Sequence, residues 1–353
     1  MDVSSVGRFV AARLHAAAAP LILEYELTHL CNLACHYCDR HTRQADELSR
    51  EEIFRILDEF FVLGMRAIGL DGGEPLTHPQ FSEIVDWLVE RDVIVHLNTN
   101  GLLVPRKLEH VRKVKQLKVS LDGPPRRNDA MRGRGAFERA LKGALAAREA
   151  SVAVELRCVV GVHNWDGIDE LLDLVETLDA GLKVMFQPAR ESLFAGNARD
   201  SSRWAPGQAR MAAAFDRVEA RKRAGSPVAN RWGSLAHFRH FPGDLELPCA
   251  AGWIKATMDP GGRLYHCGML KRDPEAPSAR TLGAKAAFAA LPRHGCGQCW
   301  CGRAVEGNLA WGGRLIQLGR PLRARGRGVG PANGAVNRAR THRSSALPPT
   351  RSR

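Results

Sequence analysis

Six short apolar runs with strand character alternate with segments of helical periodicity, and this alternation constrains the fold more than any other feature of the chain. Ser49 and Glu52 form a capping-box signature at the start of the first of these helices. Strands that alternate with helices predict an α/β fold with a parallel sheet, here a partial TIM-like (βα)6 barrel. The predicted strands are residues 21–27, 66–70, 93–97, 117–121, 153–160 and 182–187, and the predicted helices are 50–63, 79–91, 105–114, 136–150, 167–178 and 208–223.

Polar or glycine-rich segments follow each of the first four predicted strands. The first strand leads into Cys31, Cys35 and Cys38, and the second into Asp-Gly-Gly-Glu-Pro at 71–75. The third ends in Asn-Thr-Asn-Gly at 98–101 and the fourth in Ser-Leu-Asp-Gly at 120–123. In barrels of this kind the chemistry lies at the C-terminal ends of the strands, so we expect these segments to meet at one rim.

The cysteine pattern predicts a metal centre rather than a disulfide framework. The chain has nine cysteines, an odd number, and they occur in short-spaced groups. Cys31, Cys35 and Cys38 have the spacing C-x3-C-x2-C, which suits an iron–sulfur site. Cubane clusters usually take four cysteines, so a local set of three predicts one iron that is open to a cofactor.

The four rim segments, in this order, resemble the motifs of the radical S-adenosylmethionine (radical SAM) superfamily. The resemblance covers about residues 20 to 225, and it implies a radical SAM core domain over 21–225. It also implies that Cys31, Cys35 and Cys38 hold a [4Fe–4S] cluster whose fourth iron is chelated by S-adenosylmethionine. Reductive cleavage would then yield a 5′-deoxyadenosyl radical that abstracts hydrogen from a substrate, with flavodoxin or ferredoxin as electron donor.

The resemblance also implies a set of S-adenosylmethionine contacts. The two glycines would let backbone approach the methionine part of the cofactor, Glu74 would accept from its ammonium group, and Tyr37 would pack near the adenine. Each residue also has a purely structural alternative. The glycine segment could be only a loop, Glu74 could form a salt bridge, and Tyr37 could pack in the core. The polar residues after strands three and four could cap turns. Gln187 is a weaker candidate near the adenine. The expected contacts are Tyr37, Gly72, Gly73, Glu74, Asn100, Ser120 and Asp122.

A second cysteine group lies in residues 226–312. Cys249 and Cys267 flank a predicted hairpin of strands 253–258 and 263–266, and Cys296-x2-Cys299-x-Cys301 follows. This arrangement resembles the auxiliary-cluster domains of the superfamily, called SPASM in the long form and twitch in the short form. The twitch form fits better, since no cysteine follows Cys301. The implied ligands of a second [4Fe–4S] cluster are Cys249, Cys267, Cys296 and Cys299.

Alternatives remain open for the cysteines and for several neighbouring side chains. Cys301 could replace Cys296 or Cys299 or be a spare thiol, and four thiolates with a C-x2-C pair also suit zinc. Cys158 is expected to be a buried apolar residue. His29, His36 and His41 are expected as hydrogen-bonding neighbours of the first cluster. His266, beside Cys267, could be an alternative ligand, but an exposed strand position is expected. Arg157 and Arg190 could hold a carboxylate or lie on the surface.

The charge of the chain is concentrated at its C-terminal end. The formal net charge is +13, and residues 303–353 contain eleven arginines and one acid. We expect residues 313–353 to be a basic, disordered tail and residues 1–20 to be an N-terminal helical extension. No nucleic-acid partner is expected, because no aromatic residues interleave the arginines. The sequence has no signal peptide and no apolar run of membrane-spanning length, which predicts a cytoplasmic protein.

The predicted function is that of a radical SAM oxidoreductase with one auxiliary cluster. Two substrate classes compete: a peptide or protein that is oxidised or crosslinked, and a small metabolite that is dehydrogenated. The alternative from another class is a non-catalytic iron–sulfur or zinc-binding protein with an RNA-binding basic tail. That alternative must treat the rim motifs as coincidence. The sequence identifies neither the substrate nor the oligomeric state.

Overall fold

The computed structural model describes residues 18–312, with gaps at 39, 44–45, 179, 190–203, 244–246, 248, 269–274 and 294–298. Several predictions fall outside the described residues. They concern most of the N-terminal extension, the basic tail at 313–353, Arg190 and Cys296.

Eight strands form one open sheet in the order β6-β5-β4-β3-β2-β1-β7-β8. The first six are parallel to one another, as predicted, and each lies within two residues of its expected bounds. The sheet does not close on itself, which makes it a partial barrel. The strands are β1 Ile22–Glu26, β2 Ala67–Asp71, β3 Ile94–Thr99, β4 Gln116–Ser120, β5 Val154–Val160, β6 Lys183–Pro188, β7 Lys255–Met258 and β8 Leu264–Tyr265.

Helices connect the parallel strands. The predicted helix at 105–114 is shorter than expected: a 3-10 turn, Val104–Lys107, precedes a single α-helical turn, because the link between β3 and β4 is brief. Another 3-10 turn, Pro75–Thr77, follows β2. The α-helices are α1 Arg50–Val62, α2 Phe81–Val89, α3 Leu108–Val111, α4 Pro125–Arg132, α5 Ala136–Glu149, α6 Ile168–Leu178, α7 Gln208–Arg223, α8 Trp232–Phe238, α9 Ala279–Ala289 and α10 Gly302–Gly312.

The core lies between the sheet and the connecting helices. Leu23 and Tyr25 of β1 are fully buried there, as are Ile56 and Phe60 of α1. The predicted capping box of α1 is present, since the Ser49 hydroxyl accepts from the Glu52 N–H and the Glu52 carboxylate accepts from the Ser49 N–H at 2.8 Å. Strand residues alternate between the two faces of a sheet, so the residues between these apolar ones face the inside of the barrel.

The predicted hairpin is confirmed, and it extends the barrel sheet. β7 pairs in parallel with β1 and antiparallel with β8. Asp259 in the connecting turn accepts from the N–H groups of Gly261 and Arg263, at 3.0 and 2.9 Å. The residues after the core are therefore joined to it by strand pairing, although the domain boundary at residue 225 stays a prediction. Within the described ranges, the helices are too short or too polar to cross a membrane.

Candidate active site

The three-cysteine loop after β1 lines a cavity of about 250 Å³ at the C-terminal ends of the strands, which we call the rim cavity. Cys35 is buried, and Cys31 and Cys38 are half-buried. The Cys38 N–H donates to the Cys35 carbonyl at 3.0 Å, which makes a tight turn. The other expected cofactor contacts that line this cavity are Tyr37, Gly72, Gly73, Asn100 and Ser120.

Gly72 and Gly73 are packed against the backbone of the cysteine loop. The Gly73 N–H donates to the Thr28 carbonyl at 2.7 Å. A Cβ on Gly73 would lie 2.2 Å from the Leu30 carbonyl oxygen, and one on Gly72 would lie 2.5 Å from that of Thr28. Gly72 also has a φ of +147°, which disfavours other residues. Both glycines are needed here to dock the loop, in addition to any approach of a cofactor.

Glu74 is fully buried, and protein groups engage its carboxylate. It accepts from the Thr99 hydroxyl at 2.8 Å, the Asn100 N–H at 2.7 Å and the Leu76 N–H at 3.1 Å. Burial raises the pKa of Glu74 to about 7, although these donors oppose the shift. The expectation that Glu74 would accept from a cofactor ammonium remains untested; the geometry shows a carboxylate that joins the ends of β2 and β3.

Asn100 connects this junction to the cysteine loop. Its side-chain amide donates to Asn32 at 2.6 Å and lies 4.0 Å from the sulfur of Cys31. The side-chain carbonyl oxygen of Asn100 accepts from the Leu102 N–H at 3.0 Å. Asn100 therefore holds the first cysteine of the loop in place from the end of β3.

Tyr37 and Asp122 belong to a buried network beside the rim cavity. The Tyr37 hydroxyl donates to Asp122 at 2.7 Å, and Arg132 Nε lies 2.8 Å from the same carboxylate oxygen. The other oxygen accepts from the Val159 N–H at 2.9 Å. Burial raises the pKa of Tyr37, with Arg132 opposing the shift. Asp122 is 1% exposed and takes part in an ion pair, so its carboxylate is committed to the protein.

The three thiols fit an iron–sulfur cluster by their chemistry. Burial raises the pKa of Cys35 to about 11, and the neighbouring Cys38 and Cys31 add to the rise while Arg132 opposes it. The mutual effect shows that the three sulfurs are close. Among the described residues, no three Cys, His, Asp or Glu side chains converge on a single ion position. A cubane has each cysteine on a different iron, so its ligands surround it without converging.

The described cysteines of the second group, Cys249, Cys267, Cys299 and Cys301, also lie close to one another. Burial is the main cause that raises the pKa of Cys299 to about 12, and the nearby Cys301, Cys267 and Cys249 raise it further. Cys267 and Cys301 line the rim cavity, on the side where β7 and α10 meet it. Lys255 and Arg303 interact with both of these sulfurs, and cations favour thiolates.

A larger cavity of about 880 Å³, the inner cavity, lies along the inward face of the same strands. Seven strands line both cavities with residues two positions apart, which is about 6.6 Å along a parallel strand. Arg157, Lys255 and Arg303 line both cavities and lie at their junction. The pairs, inner before rim, are Glu24 and Glu26, Gly69 and Asp71, His96 and Asn98, Lys118 and Ser120, Arg157 and Val159, Met185 and Gln187, and Lys255 and Thr257.

The structure also shows where the weaker sequence candidates lie. Cys158 is buried, as predicted, whereas the expectation that His266 is exposed is wrong, because it is 7% exposed next to β8. Arg157 lines both cavities and Gln187 lines the rim cavity. His29 lies 3.7 Å from Glu26, and His41 lines the rim cavity.

Four basic residues at or near the two cavities were not singled out from the sequence. Arg132 lies far from the motifs, in α4, and Arg303 follows the last cysteine, so neither position carries a pattern that marks it. Lys118 and Lys255 could have been found by strand alternation, since they lie two residues before Ser120 and Thr257.

Comparison with known proteins relates the first half of the chain to one family. The family model described as "Radical SAM superfamily" matches residues 25–175, which contain all four rim segments. Residues 25–175 therefore form a radical SAM domain. Enzymes of this superfamily use a [4Fe–4S] cluster and S-adenosylmethionine, so the predicted family and its first cofactors are confirmed.

Relatives with assigned functions match over different shares of the chain. Mycofactocin maturase MftC of Mycobacterium ulcerans is 29% identical over 76% of this chain and 74% of its own length. PqqA peptide cyclase of Ruegeria pomeroyi is 28% identical over 72% and 70%. AdoMet-dependent heme synthase of Methanosarcina barkeri is 36% identical, but over 46% of this chain and 49% of its own. The chain spans about half the length of several relatives that it matches.

Solved structures confirm the fold. Native anSMEcpe with bound AdoMet and Cp18Cys peptide superimposes with a TM-score of 0.62, at 17% identity, over 76% of this chain and 80% of that one. The likeness confirms a partial barrel of the radical SAM type.

Proposed function

We propose that the protein is a radical SAM enzyme that modifies a peptide, with Cys31, Cys35 and Cys38 as the ligands of the cluster that binds S-adenosylmethionine. The observation that carries the proposal is that these cysteines and the Gly-Gly segment line one rim cavity, directly beside a larger inner cavity that can hold a substrate. When bound, the cluster and S-adenosylmethionine supply a 5′-deoxyadenosyl radical that removes a hydrogen atom.

The chain's own residues hold this site in shape. Glu74 and Asn100 fix the cysteine loop against the ends of β2 and β3, and Tyr37 is tied to Asp122. Arg40 donates to the Gly72 carbonyl at 3.2 Å and pairs with Glu26. These contacts order the rim before any ligand arrives, which is the preorganisation that radical chemistry requires from a protein. Ser120 and Asn100 line the cavity and are proposed contacts to the cofactor.

We further propose that Cys249, Cys267, Cys299 and Cys301 hold a second [4Fe–4S] cluster. Their mutual electrostatic influence on Cys299 supports a common site. Cys301 immediately precedes α10, and its carbonyl accepts from the Val305 N–H at 2.7 Å, so its thiolate would lie near the positive end of a helix. Cys296 remains a possible fourth ligand in place of Cys301, since it lies outside the described residues. Such a cluster could take an electron from a substrate radical, which would make the reaction an oxidation or a crosslink.

A peptide is the proposed substrate because the relatives that match most of this chain point to one. PqqA peptide cyclase is named for its peptide, and anSMEcpe is solved with a peptide bound. The heme synthase matches less than half of this chain, so its kind of substrate has weaker support. A flavodoxin or ferredoxin is the proposed electron donor, and the cytoplasm the proposed location.

Anaerobic reconstitution of the full chain tests the proposal. Two clusters would give about eight irons per chain, and replacing Cys249 and Cys267 with Ser would leave about four. We expect reduction in the presence of S-adenosylmethionine to release 5′-deoxyadenosine from both proteins, and only the unaltered one to complete a peptide modification. Cys296→Ser and Cys301→Ser are prepared as separate variants. The variant that loses iron identifies the fourth ligand of the second cluster. Reconstituted protein with an intact reduced cluster and no deoxyadenosine would rule the enzyme out.

A further inference from the structure

The inner cavity carries an excess of positive charge. Eight lysine and arginine side chains and three glutamates line it. Each of the three glutamates already has a basic partner, so the acids among the described lining residues balance three of its eight cations. The pairs are Glu155 with Arg157 at 2.6 Å, Glu24 with Arg303, and Glu306 with Arg231 at 3.5 Å.

Lys118 is the most deeply buried of the lysines in this cavity, with 5% of its surface exposed. Its Nζ lies 3.5 Å from His96 Nδ1, which is long for a hydrogen bond, and it forms no ion pair with any carboxylate that the structure describes. The remaining N–H groups of the ammonium have the cavity as their surroundings. A buried cation in this position is destabilising unless an anion joins it.

The electrostatic surroundings of Lys118 are those of an incomplete site. Burial lowers the pKa of Lys118 to about 7, and Arg157 and Arg303 lower it further, while Glu24 and Glu155 act in the opposite direction. A ligand with a negative group would offset both the desolvation and the repulsion from the two arginines. An uncharged ligand would leave both unfavourable effects in place.

We propose that Lys118 binds a carboxylate of the substrate peptide. The inference rests on the proposed function, which supplies a peptide as the ligand. It names the part of the peptide that enters the inner cavity: an acidic side chain or the C-terminal carboxylate. Lys118 lies two residues, about 6.6 Å, from Ser120 at the rim cavity, and an extended peptide advances about 3.3 Å per residue. By this spacing, a peptide held by its carboxylate at Lys118 reaches the rim cavity within about two residues.

Amine footprinting of the reconstituted full chain, with S-adenosylmethionine present, tests this site without relying on turnover. The amine is acetylated with acetic anhydride at pH 7, and mass spectrometry measures the rate at Lys118 and at the exposed Lys142. Three probes are compared: N-acetyl-glutamate α-amide, N-acetyl-alanine and N-acetyl-glutamine α-amide. We expect one or both carboxylates to slow acetylation of Lys118, with no change at Lys142 and none with the glutamine amide. The protecting carboxylate identifies whether a side chain or a C-terminus is bound.

Substitution provides the second arm of the test. A hydrogen bond to a charged group is worth about tenfold in affinity or more, so Lys118→Met and Lys118→Gln should each weaken binding of the protecting probe, measured by isothermal titration calorimetry, by at least that factor. Lys142→Met, which removes the same charge from the exposed face of α5, should leave it within about twofold. Met and Gln differ in polarity, so agreement between them excludes a packing effect.

Several results would overturn the assignment. Equal protection by the amide and the carboxylates, protection by inorganic phosphate alone, or unchanged affinity in both Lys118 variants would each do so. The proposed function is tested separately by measuring whether the same preparation forms 5′-deoxyadenosine without any peptide. If S-adenosylmethionine is cleaved but the carboxylate probes do not selectively protect Lys118, only the role of Lys118 is overturned. If the carboxylates protect Lys118 but S-adenosylmethionine is not cleaved, only the proposed reaction is overturned.

Discussion

The buried carboxylate of Glu74 accepts a hydrogen bond from the backbone N–H of Asn100 at 2.7 Å. Asn100 in turn donates to Asn32, inside the cysteine loop, at 2.6 Å. Glu74 is therefore two hydrogen bonds from Asn32 of the cysteine loop, and its own N–H donates directly to the Leu30 carbonyl of that loop at 2.8 Å. This relationship explains why the acid of the Gly-Gly-Glu-Pro segment is fully buried.

The first prediction concerns that junction. Glu74→Gln replaces one acceptor oxygen with an NH2 group that faces backbone donors, so we expect a loss of about 1–3 kcal/mol in the free energy of unfolding. Glu90→Gln, on an exposed position just after α2, is the matched control and should change stability by about 0.5 kcal/mol or less. Denaturant unfolding at equal iron content measures both. Equal stability of the two variants would mean that the Glu74 contacts contribute nothing to the fold.

The second prediction concerns the ion pair beneath Tyr37. Asp122→Asn would leave the Arg132 guanidinium, which is 8% exposed, without its counter-charge. Breaking a buried pair in this way costs about 3–5 kcal/mol. Asp166→Asn removes an acid from a partly exposed pair with Arg127 and should cost about 1 kcal/mol or less. Thermal denaturation checks the difference, and a smaller effect at Asp122 than at Asp166 would contradict the buried network.

The third prediction concerns the junction of the two cavities. A Cβ on Gly69 would lie 2.2 Å from a carboxylate oxygen of Glu24, the partner of Arg303. Gly69→Ala should therefore displace that pair and cost about 1–3 kcal/mol through overpacking. Gly207→Ala is the control, since its Cβ meets no atom within 4 Å and its φ of −52° suits alanine. If both variants melt at the same temperature, the Glu24–Arg303 pair is free to move and does not define the junction.

The fourth prediction uses the burial of Lys118. Its folded pKa of about 7 is below the ordinary value of 10.5, so the unfolded chain binds more protons between these values and stability rises with pH across that window. Without substrate, Lys118→Met should be more stable than the unaltered protein at pH 7, on the order of 1.4 kcal/mol for each pKa unit removed. The difference in the free energy of unfolding between the two proteins should narrow towards pH 10. A destabilised Lys118→Met, or a gap that widens with pH, would show that the ammonium is well solvated or paired.

Sequence patterns were sufficient for the framework of this protein. Alternating apolar runs placed all six parallel strands, because strand and helix periodicities are local properties. The spacing of Cys31, Cys35 and Cys38 predicts the metal loop from local sequence in the same way. Strand alternation is also sufficient to place Lys118 on the same face of β4 as Ser120.

Other features depend on contacts between distant segments, and no local pattern contains them. Two partners of Glu74, Thr99 and Asn100, come from the end of β3. Asp122 accepts from the Val159 N–H in β5 and pairs with Arg132 at the far end of α4. His266 follows β8, where the local pattern predicts an exposed strand residue, and it is 7% exposed. The pairing of β7 with β1 is a tertiary choice of the same kind.

The release of 5′-deoxyadenosine is the measurement that tests the central claim most directly. The full chain is reconstituted anaerobically, reduced and given S-adenosylmethionine, and the nucleoside is quantified by mass spectrometry beside the Cys35→Ala and Cys158→Ala variants. We expect release from the unaltered protein and from Cys158→Ala, whose thiol lies in the core, and none from Cys35→Ala. Release that survives in Cys35→Ala, or no release from unaltered protein with an intact reduced cluster, would contradict the assignment of the cysteine loop.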